Sequence, residues 1–289
     1  MKGATININD LLDKLAGVEI QVTDRFPQED MEYCRREEQT YKEAYALFDE
    51  FTGIAKEVNR CLQQFRESTY FQRVEEQMDL VSECNERFIG AICGYFAKKY
   101  NVTVERPEWK ILDEDGGYRR SRDRYDRVPL QYILNSVYEQ MGGMTFEEKA
   151  FTEVKAAARE AVASCSGKSQ YVIKGSKLAI ENFYWSHKDR IWERYQAEME
   201  ERHRAFFKAL SHFEYGDFEI SRKYSFLCSG WRIDEEDGVY DKHFISSSVV
   251  DSIKVFKNGK VEIEFKDYLT AARFMETYFP GIPQMQAAG

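Results

Sequence analysis

The sequence predicts an α+β fold: a mostly helical N-terminal two-thirds, built on antiparallel long helices, followed by a small antiparallel sheet and a C-terminal helix. Three observations carry this reading. Up to Gly216 the apolar residues recur every three or four positions, the spacing of a helix buried along one stripe. Beyond Gly216 the spacing drops to two, the alternation of a strand with one buried face. Asn258-Gly259 stands between two runs rich in β-branched residues, where a hairpin needs residues that accept a positive φ.

Taken in order, Asn9 or Asp10 caps a short helix through Leu11, Leu12 and Leu15 that Gly17 ends, and a strand is expected from Val18 to Val22. Pro27 opens a long helix whose stripe is read as Tyr41, Tyr45, Phe48, Phe51, Ala55, Val58, Leu62 and Phe65, with Gly53 as a place to bend. Thr69 and Gln72 form a capping box for a second long helix carrying Phe71, Val74, Met78, Val81, Cys84, Phe88, Ile92 and Phe96. So short a connection makes the two helices antiparallel. From Asn101 to Val128 a β-like Val-Thr-Val-Glu-Arg-Pro gives way to an arginine-dense run, read as a linker or an exposed loop. Pro129 suits the first turn of a helix with Leu130, Ile133, Leu134 and Val137, ended by Gly142-Gly143. Thr145 and Glu148 cap another, with Phe151, Val154 and Val162, that stops near Gly167. After a short Tyr-Val-Ile-Lys-Gly, helical spacing returns at Trp192, Tyr195, Met199, Phe206, Leu210 and Phe213 and closes at Gly216. Strands at Phe218 to Ile220 and Tyr224 to Ile233, the hairpin, and a helix from about Tyr268 to Tyr278 complete the chain. The expected regions are a helical hairpin at 1–105, a loop at 106–128, a helical region at 129–215 and the sheet with its helix at 216–289.

The register of the hairpin follows from sorting side chains. A two-residue Asn258-Gly259 loop would set Ile253 and Val255 opposite Glu264 and Glu262 and mix the faces. A three-residue Lys257-Asn258-Gly259 loop, with Gly259 left-handed, pairs Val255 with Val261, Ile253 with Ile263, Lys254 with Glu262 and Asp251 with Phe265. One face is then apolar and must lie on a core, and the other is charged.

A length of 289 residues with 43% hydrophobic and 15% aromatic content is ample for one large core or two. The net charge of −9 excludes a general nucleic-acid coat, because phosphate binding needs Lys and Arg in excess on some face. Cys34, Cys61, Cys84, Cys93, Cys165 and Cys228 contain no Cys-x-x-Cys pair, and Cys61, Cys84 and Cys93 fall on or near apolar stripes. Buried free thiols are therefore expected in place of zinc ligands or disulfides. No signal-peptide core opens the chain, and the most apolar run, Phe88 to Ala97, is too short to span a bilayer. A protein of the bacterial host cytoplasm, without membrane contact, is expected.

Candidate chemistry is sparse. Glu264-Phe265-Lys266 with Asp251 upstream has the make-up of an acidic pair and Glu-x-Lys triplet, with which a nuclease holds a divalent metal and orients water. The register above turns Asp251 away from Glu264, so surface salt pairs are the simpler reading. Asp234, Glu235, Glu236, Asp237 and Asp241 around Gly238 lack the alternating spacing of a calcium loop and read as an acidic turn. His187, His203, His212 and His243 stand in no His-Glu-x-x-His or nucleophile-elbow context. Lys174 to Lys177 is a fragment of a phosphate loop without its surroundings, and Phe183, Tyr184, Trp185 and Trp192 read as core. Arg119, Arg120, Arg122, Arg124 and Arg127, interleaved with Tyr118 and Tyr125, are the set suited to nucleic acid, with cations on phosphates and rings on bases. Asp123 and Asp126 offset part of that charge, and the competing reading is a solvated loop that pairs with acidic helices. No metal or cofactor site is expected, and the residues lean away from an enzyme.

Phe256 to Asp267, Phe-Lys-Asn-Gly-Lys-Val-Glu-Ile-Glu-Phe-Lys-Asp, lies between a strand and a short helix. It resembles the end of an uncharacterised domain of phage, prophage and conjugative-element proteins, some of them joined to adenine DNA methyltransferases. The resemblance extends to Glu201 to Phe213 and to the paired helices near Tyr41 to Phe65. It implies a mobile-element accessory protein. No Asn-Pro-Pro-Tyr motif or cofactor-binding glycine loop is present, so methylation is not implied. The expected function is a non-catalytic binding protein of a phage or mobile element, such as an inhibitor of a host or defence protein of the anti-CRISPR or anti-restriction type. The alternative is nucleic-acid binding or a metal-dependent nuclease. The oligomeric state is left open.

Overall fold

The structure, a computed structural model, describes residues 25–62, 73–109, 127–163, 171–183, 193–228 and 240–280. Among them are seven helices and five strands, an α+β fold as expected, in two compact units, Met1–Met144 and Thr145–Gly289. The helix and strand expected before residue 25 and the Thr69 capping box lie outside the described residues.

In the first unit α1 (Gln28–Leu62) and α2 (Arg73–Tyr100) run antiparallel, and α3 (Leu130–Gln140) packs on α2. Phe26, just before α1, meets Phe96 near the end of α2, and further along Tyr41 stacks on Phe88 with ring centres 4.3 Å apart. Polar contacts set the register. Fully buried Asp30 accepts hydrogen bonds from Tyr95 (2.8 Å), Tyr100 (2.5 Å) and Lys99 (2.5 Å), and Lys99 also pairs with Glu29. Buried Asn85 takes the hydroxyls of Tyr41 (2.6 Å) and Tyr45 (2.7 Å) on one oxygen. A slipped register would strand these groups at a cost on the order of 1–3 kcal/mol each. α3 buries Leu130, Ile133, Leu134 and Val137 as its spacing predicts, and the chain turns after it at Gly142 (φ 60°) and Gly143 (φ 81°). The β-like stretch after Asn101 forms no strand among the described residues. The side-chain amide of Gln140 pairs with the N–H and C=O of Glu105 (2.8 and 2.9 Å), supplying what a neighbouring strand would.

In the second unit α4 (Phe146–Ala163) opens on the expected capping box: Thr145 Oγ1 accepts from the Glu148 N–H (3.2 Å) and the Glu148 carboxylate accepts from the Thr145 N–H (2.8 Å). β1 (Tyr171–Lys174) and β2 (Lys177–Ile180) are joined by Gly175-Ser176, with Gly175 at φ 60°. The Lys174 to Lys177 fragment is thus a two-residue hairpin turn. α5 (Glu193–Tyr215) closes on Gly216 (φ 71°).

The strands expected at Phe218 to Ile220 and from Tyr224 are not formed among the described residues. A short helix, α6 (Arg222–Ser225), stands there instead, because Ser221 caps it through the Lys223 N–H and Tyr224 is drawn into the core with its hydroxyl on Glu214 (2.6 Å). Burial pushes the Glu214 carboxyl upward, but hydrogen bonds from Tyr224, Tyr215, Ser247 and Ser248 outweigh it and hold the group below the usual carboxylate range. That carboxylate ties α5 and α6 to the loop leading into the hairpin.

β3 (Lys242–Phe244), β4 (Val250–Val255) and β5 (Val261–Phe265) complete an antiparallel sheet of order β1-β2-β5-β4-β3, and α7 (Tyr268–Tyr278) follows, capped by Asp267. The β4–β5 loop is the expected one: Val255 faces Val261, Ile253 faces Ile263, Lys254 faces Glu262, and Gly259 sits at φ 83°. Phe256 N–H reaches the Lys260 carbonyl (2.8 Å) and Gly259 N–H the Phe256 carbonyl (2.9 Å). The pairing of Asp251 with Phe265 is corrected. Val250 faces Phe265, and a bulge between Val250 and Ser252 absorbs Asp251. Unbulged alternation would place the Asp251 carboxylate on the buried face, whereas the bulge puts Val250 there, fully buried.

That face carries Leu178, Ile180, Val250, Ile253, Val255, Val261, Ile263 and Phe265 against Val154 and Ala158 of α4, Phe206 and Leu210 of α5, Tyr224, and Phe274 and Tyr278 of α7. Each large apolar side chain buried there contributes about 1.5–3 kcal/mol. His203 of α5 lies within this layer, its Nε2–H donating to the Phe183 carbonyl (3.0 Å), and burial lowers its pKa to about 4.

Two outcomes follow for stability. Gly259→Val forces a β-branched residue to a positive φ and should cost on the order of 1–3 kcal/mol in urea unfolding, against well under about 1 kcal/mol for Lys254→Ala on the charged face. Because His203 is held neutral in the fold, the unfolded chain takes up its proton first as pH falls below about 6.5, so stability is full above that pH and declines down to about 4. The decline should amount to roughly 3 kcal/mol. His203→Gln, which keeps a donor and does not titrate, should flatten it.

Candidate functional site

The sheet face opposite the core gathers the residues of the nuclease reading. Glu264 accepts from Lys242 (2.7 Å) and Ser252 (3.1 Å), with Lys177 at 3.5 Å, and Asp251 pairs with Lys266 (2.9 Å). The bulge brings Asp251 within the field of Lys242, so both carboxylates act on one ammonium group. Lys242 is also the main reason the Glu264 carboxyl sits below its usual range. Each carboxylate is thus already paired with an ammonium group, and among the described residues no group of three or more acidic, His or Cys side chains is placed to hold a metal. Phe244 stands 75% exposed at the edge of this face.

Of the arginine set, Arg119, Arg120, Arg122, Arg124 and Tyr125 lie outside the described residues. Arg127 is anchored on α1. Its guanidinium pairs with Asp49 (3.0 Å) and lies 5.3 Å from the Tyr45 ring centre, and the next N–H, of Val128, donates to the Tyr41 hydroxyl (2.8 Å). At this one position the pairing with an acidic helix is what forms. Asp234 to Gly238, His187, Tyr184, Trp185 and Trp192 also fall outside the described residues, while Phe183 is core as expected. His212 lies partly buried between Phe151 and Phe218 with its Nδ1 2.6 Å from the Tyr278 hydroxyl, and His243 packs edge-on to Phe226. Among the described residues neither belongs to a group of three or more His, Cys, Asp or Glu side chains that could hold a metal ion.

The largest departure from the expected picture is on α1. Tyr41 and Tyr45 are buried, but Phe51 is 51% exposed and Val58 42% exposed, together with Leu47 at 66% and Ile54 at 56%. What reads as one stripe is two. Tyr41 and Tyr45 turn toward α2, and Phe48, Thr52 and Ala55, in helical phase with them, are partly buried. Ala44, Leu47, Phe51, Ile54, Val58 and Cys61 recur at steps of 3, 4, 3, 4 and 3, and all but the partly buried Ala44 are exposed. That is the a/d spacing of a coiled-coil seam, rotated about 100° from the packed stripe. Cys61 is accordingly exposed, where a buried thiol was expected, while Cys34, Cys93 and Cys228 are buried and free. The 3-4-3-4 spacing from Ala44 was visible in the sequence. It is easily merged with the packed stripe because Ala44, Leu47, Phe51 and Ile54 each lie one position before one of its residues.

Comparisons with protein-family models, with curated proteins and with solved structures give no significant match. Among the described residues no helix is long and apolar enough to cross a membrane.

The two stripes of α1 should respond differently to mutation. Phe51→Ser with Ile54→Ser should change the unfolding free energy by less than about 0.5 kcal/mol per site, because both side chains are already wet. Asn85→Leu, which leaves the Tyr41 and Tyr45 hydroxyls without their shared acceptor, should cost on the order of 1–3 kcal/mol in the same urea titration.

Proposed function

We propose that the chain is a non-catalytic accessory protein of a phage or mobile element, and that it acts by binding a host or defence protein through the exposed seam of α1. The observation that carries this reading is the seam itself. Leu47, Phe51, Ile54 and Val58 expose 42–66% of their surface in coiled-coil spacing on a 35-residue helix whose other apolar stripe is already used. A contiguous apolar stripe left wet on a folded surface marks an interaction site more often than ornament, and a helical stripe suits helix-to-helix recognition. The accessory context is supported by the resemblance of Phe256 to Asp267 to the end of the phage and conjugative-element domain.

The test is affinity capture from a bacterial host lysate with the full chain and with Phe51→Ser/Ile54→Ser. A protein retained in stoichiometric amount by the parent, and reduced about tenfold or more with the variant, is the expected result. Equal retention by both, or no stoichiometric partner alongside metal-dependent turnover of nucleic acid, overturns it.

A further inference from the structure

The borders of the α1 seam are chemically unequal. On its outer side stand Glu43, Glu50 and Glu57, seven residues apart and all exposed, along the same line of the helix. Among the described residues Glu43 and Glu50 have no cationic partner, and Glu57 pairs with Arg60 at 2.5 Å. On the inner side stand Phe48 and Ala55, partly buried and uncharged. In heptad terms the glutamates fill the g positions beside an a/d seam, where charges choose partner and orientation.

Building on the docking reading above, we propose that the occupant of this seam is one amphipathic helix of another protein, carrying Lys or Arg every seven residues beside its own apolar stripe. The seam from Ala44 to Cys61 extends about 26 Å along the axis, enough for about two and a half heptads of such a helix. Lysines or arginines on the flank facing this line form new ion pairs with Glu43 and Glu50 and share Glu57 with Arg60, around an apolar centre from which excluded water strengthens each pair. A second copy of this chain fits poorly. Antiparallel pairing sets each glutamate line against its own equivalent, parallel pairing sets it against Phe48 and Ala55, and the net charge of −9 opposes self-association in either case. The same glutamates repel a phosphate backbone, so nucleic acid is not the occupant.

Three synthetic peptides of about three heptads test this against the full chain by fluorescence anisotropy. One has Leu at a and d with Lys at e and g, one has Leu at a and d with Glu at e and g, and one is a scramble of the lysine peptide without heptad spacing. The lysine peptide should bind, the glutamate and scrambled peptides at least about tenfold more weakly, and rising salt should narrow the gap. Glu43→Lys/Glu50→Lys/Glu57→Lys should invert the preference between the two heptad peptides. Equal binding of those two would overturn the basic-helix assignment while leaving the docking surface standing. Binding of neither, or binding of the lysine peptide that Phe51→Ser/Ile54→Ser leaves unchanged, would overturn the docking surface itself. A dimer in sedimentation that Phe51→Ser/Ile54→Ser dissolves would make a second copy the occupant and overturn the proposal.

Discussion

Tyr41 and Tyr45 both donate to one oxygen of Asn85, and that shared acceptor determines how α1 is rotated against α2. Hydrophobic contact alone would not choose, because α1 carries two apolar stripes about 100° apart and either has enough apolar residues to pack. Burying two tyrosine hydroxyls without an acceptor would cost more than a few methylene contacts return. The buried carboxylate of Asp30, saturated by Tyr95, Lys99 and Tyr100, repeats the constraint where α1 begins and α2 ends. With the rotation set at these two levels, the stripe that includes Leu47 and Ile54 is left on the surface, and the candidate site exists because of that choice.

In the second unit the corresponding constraint is the separation of the two faces of the sheet. Every apolar side chain of β2, β4 and β5 on the core face is buried, and the opposite face is a lattice of lysines and carboxylates. One position breaks simple alternation. Asp251 lies where an unbulged β4 would bury it, and the bulge is the local rearrangement that keeps Val250 inside and the carboxylate beside Lys266. The same local change brings Asp251 and Glu264 under the influence of Lys242, so the residues of a nuclease-like triplet meet on one face with ammonium groups already against the carboxylates.

Where local rules act alone, the sequence was sufficient. The Asn258-Gly259 loop, the Thr145–Glu148 capping box, the glycines after α3 and α5, and the antiparallel helix pair depend on backbone preferences within a few residues or on one dominant periodicity. Tertiary structure decided the rest. Whether Tyr224 forms a strand or a helical turn depended on a capping serine and a buried glutamate from another helix. Whether Asp251 stayed in register depended on what the opposite strand would otherwise bury. Which stripe of α1 faces the core depended on Asn85, 40 and 44 residues away in sequence, because periodicity states that a helix has an apolar side and only a specific polar partner states which one.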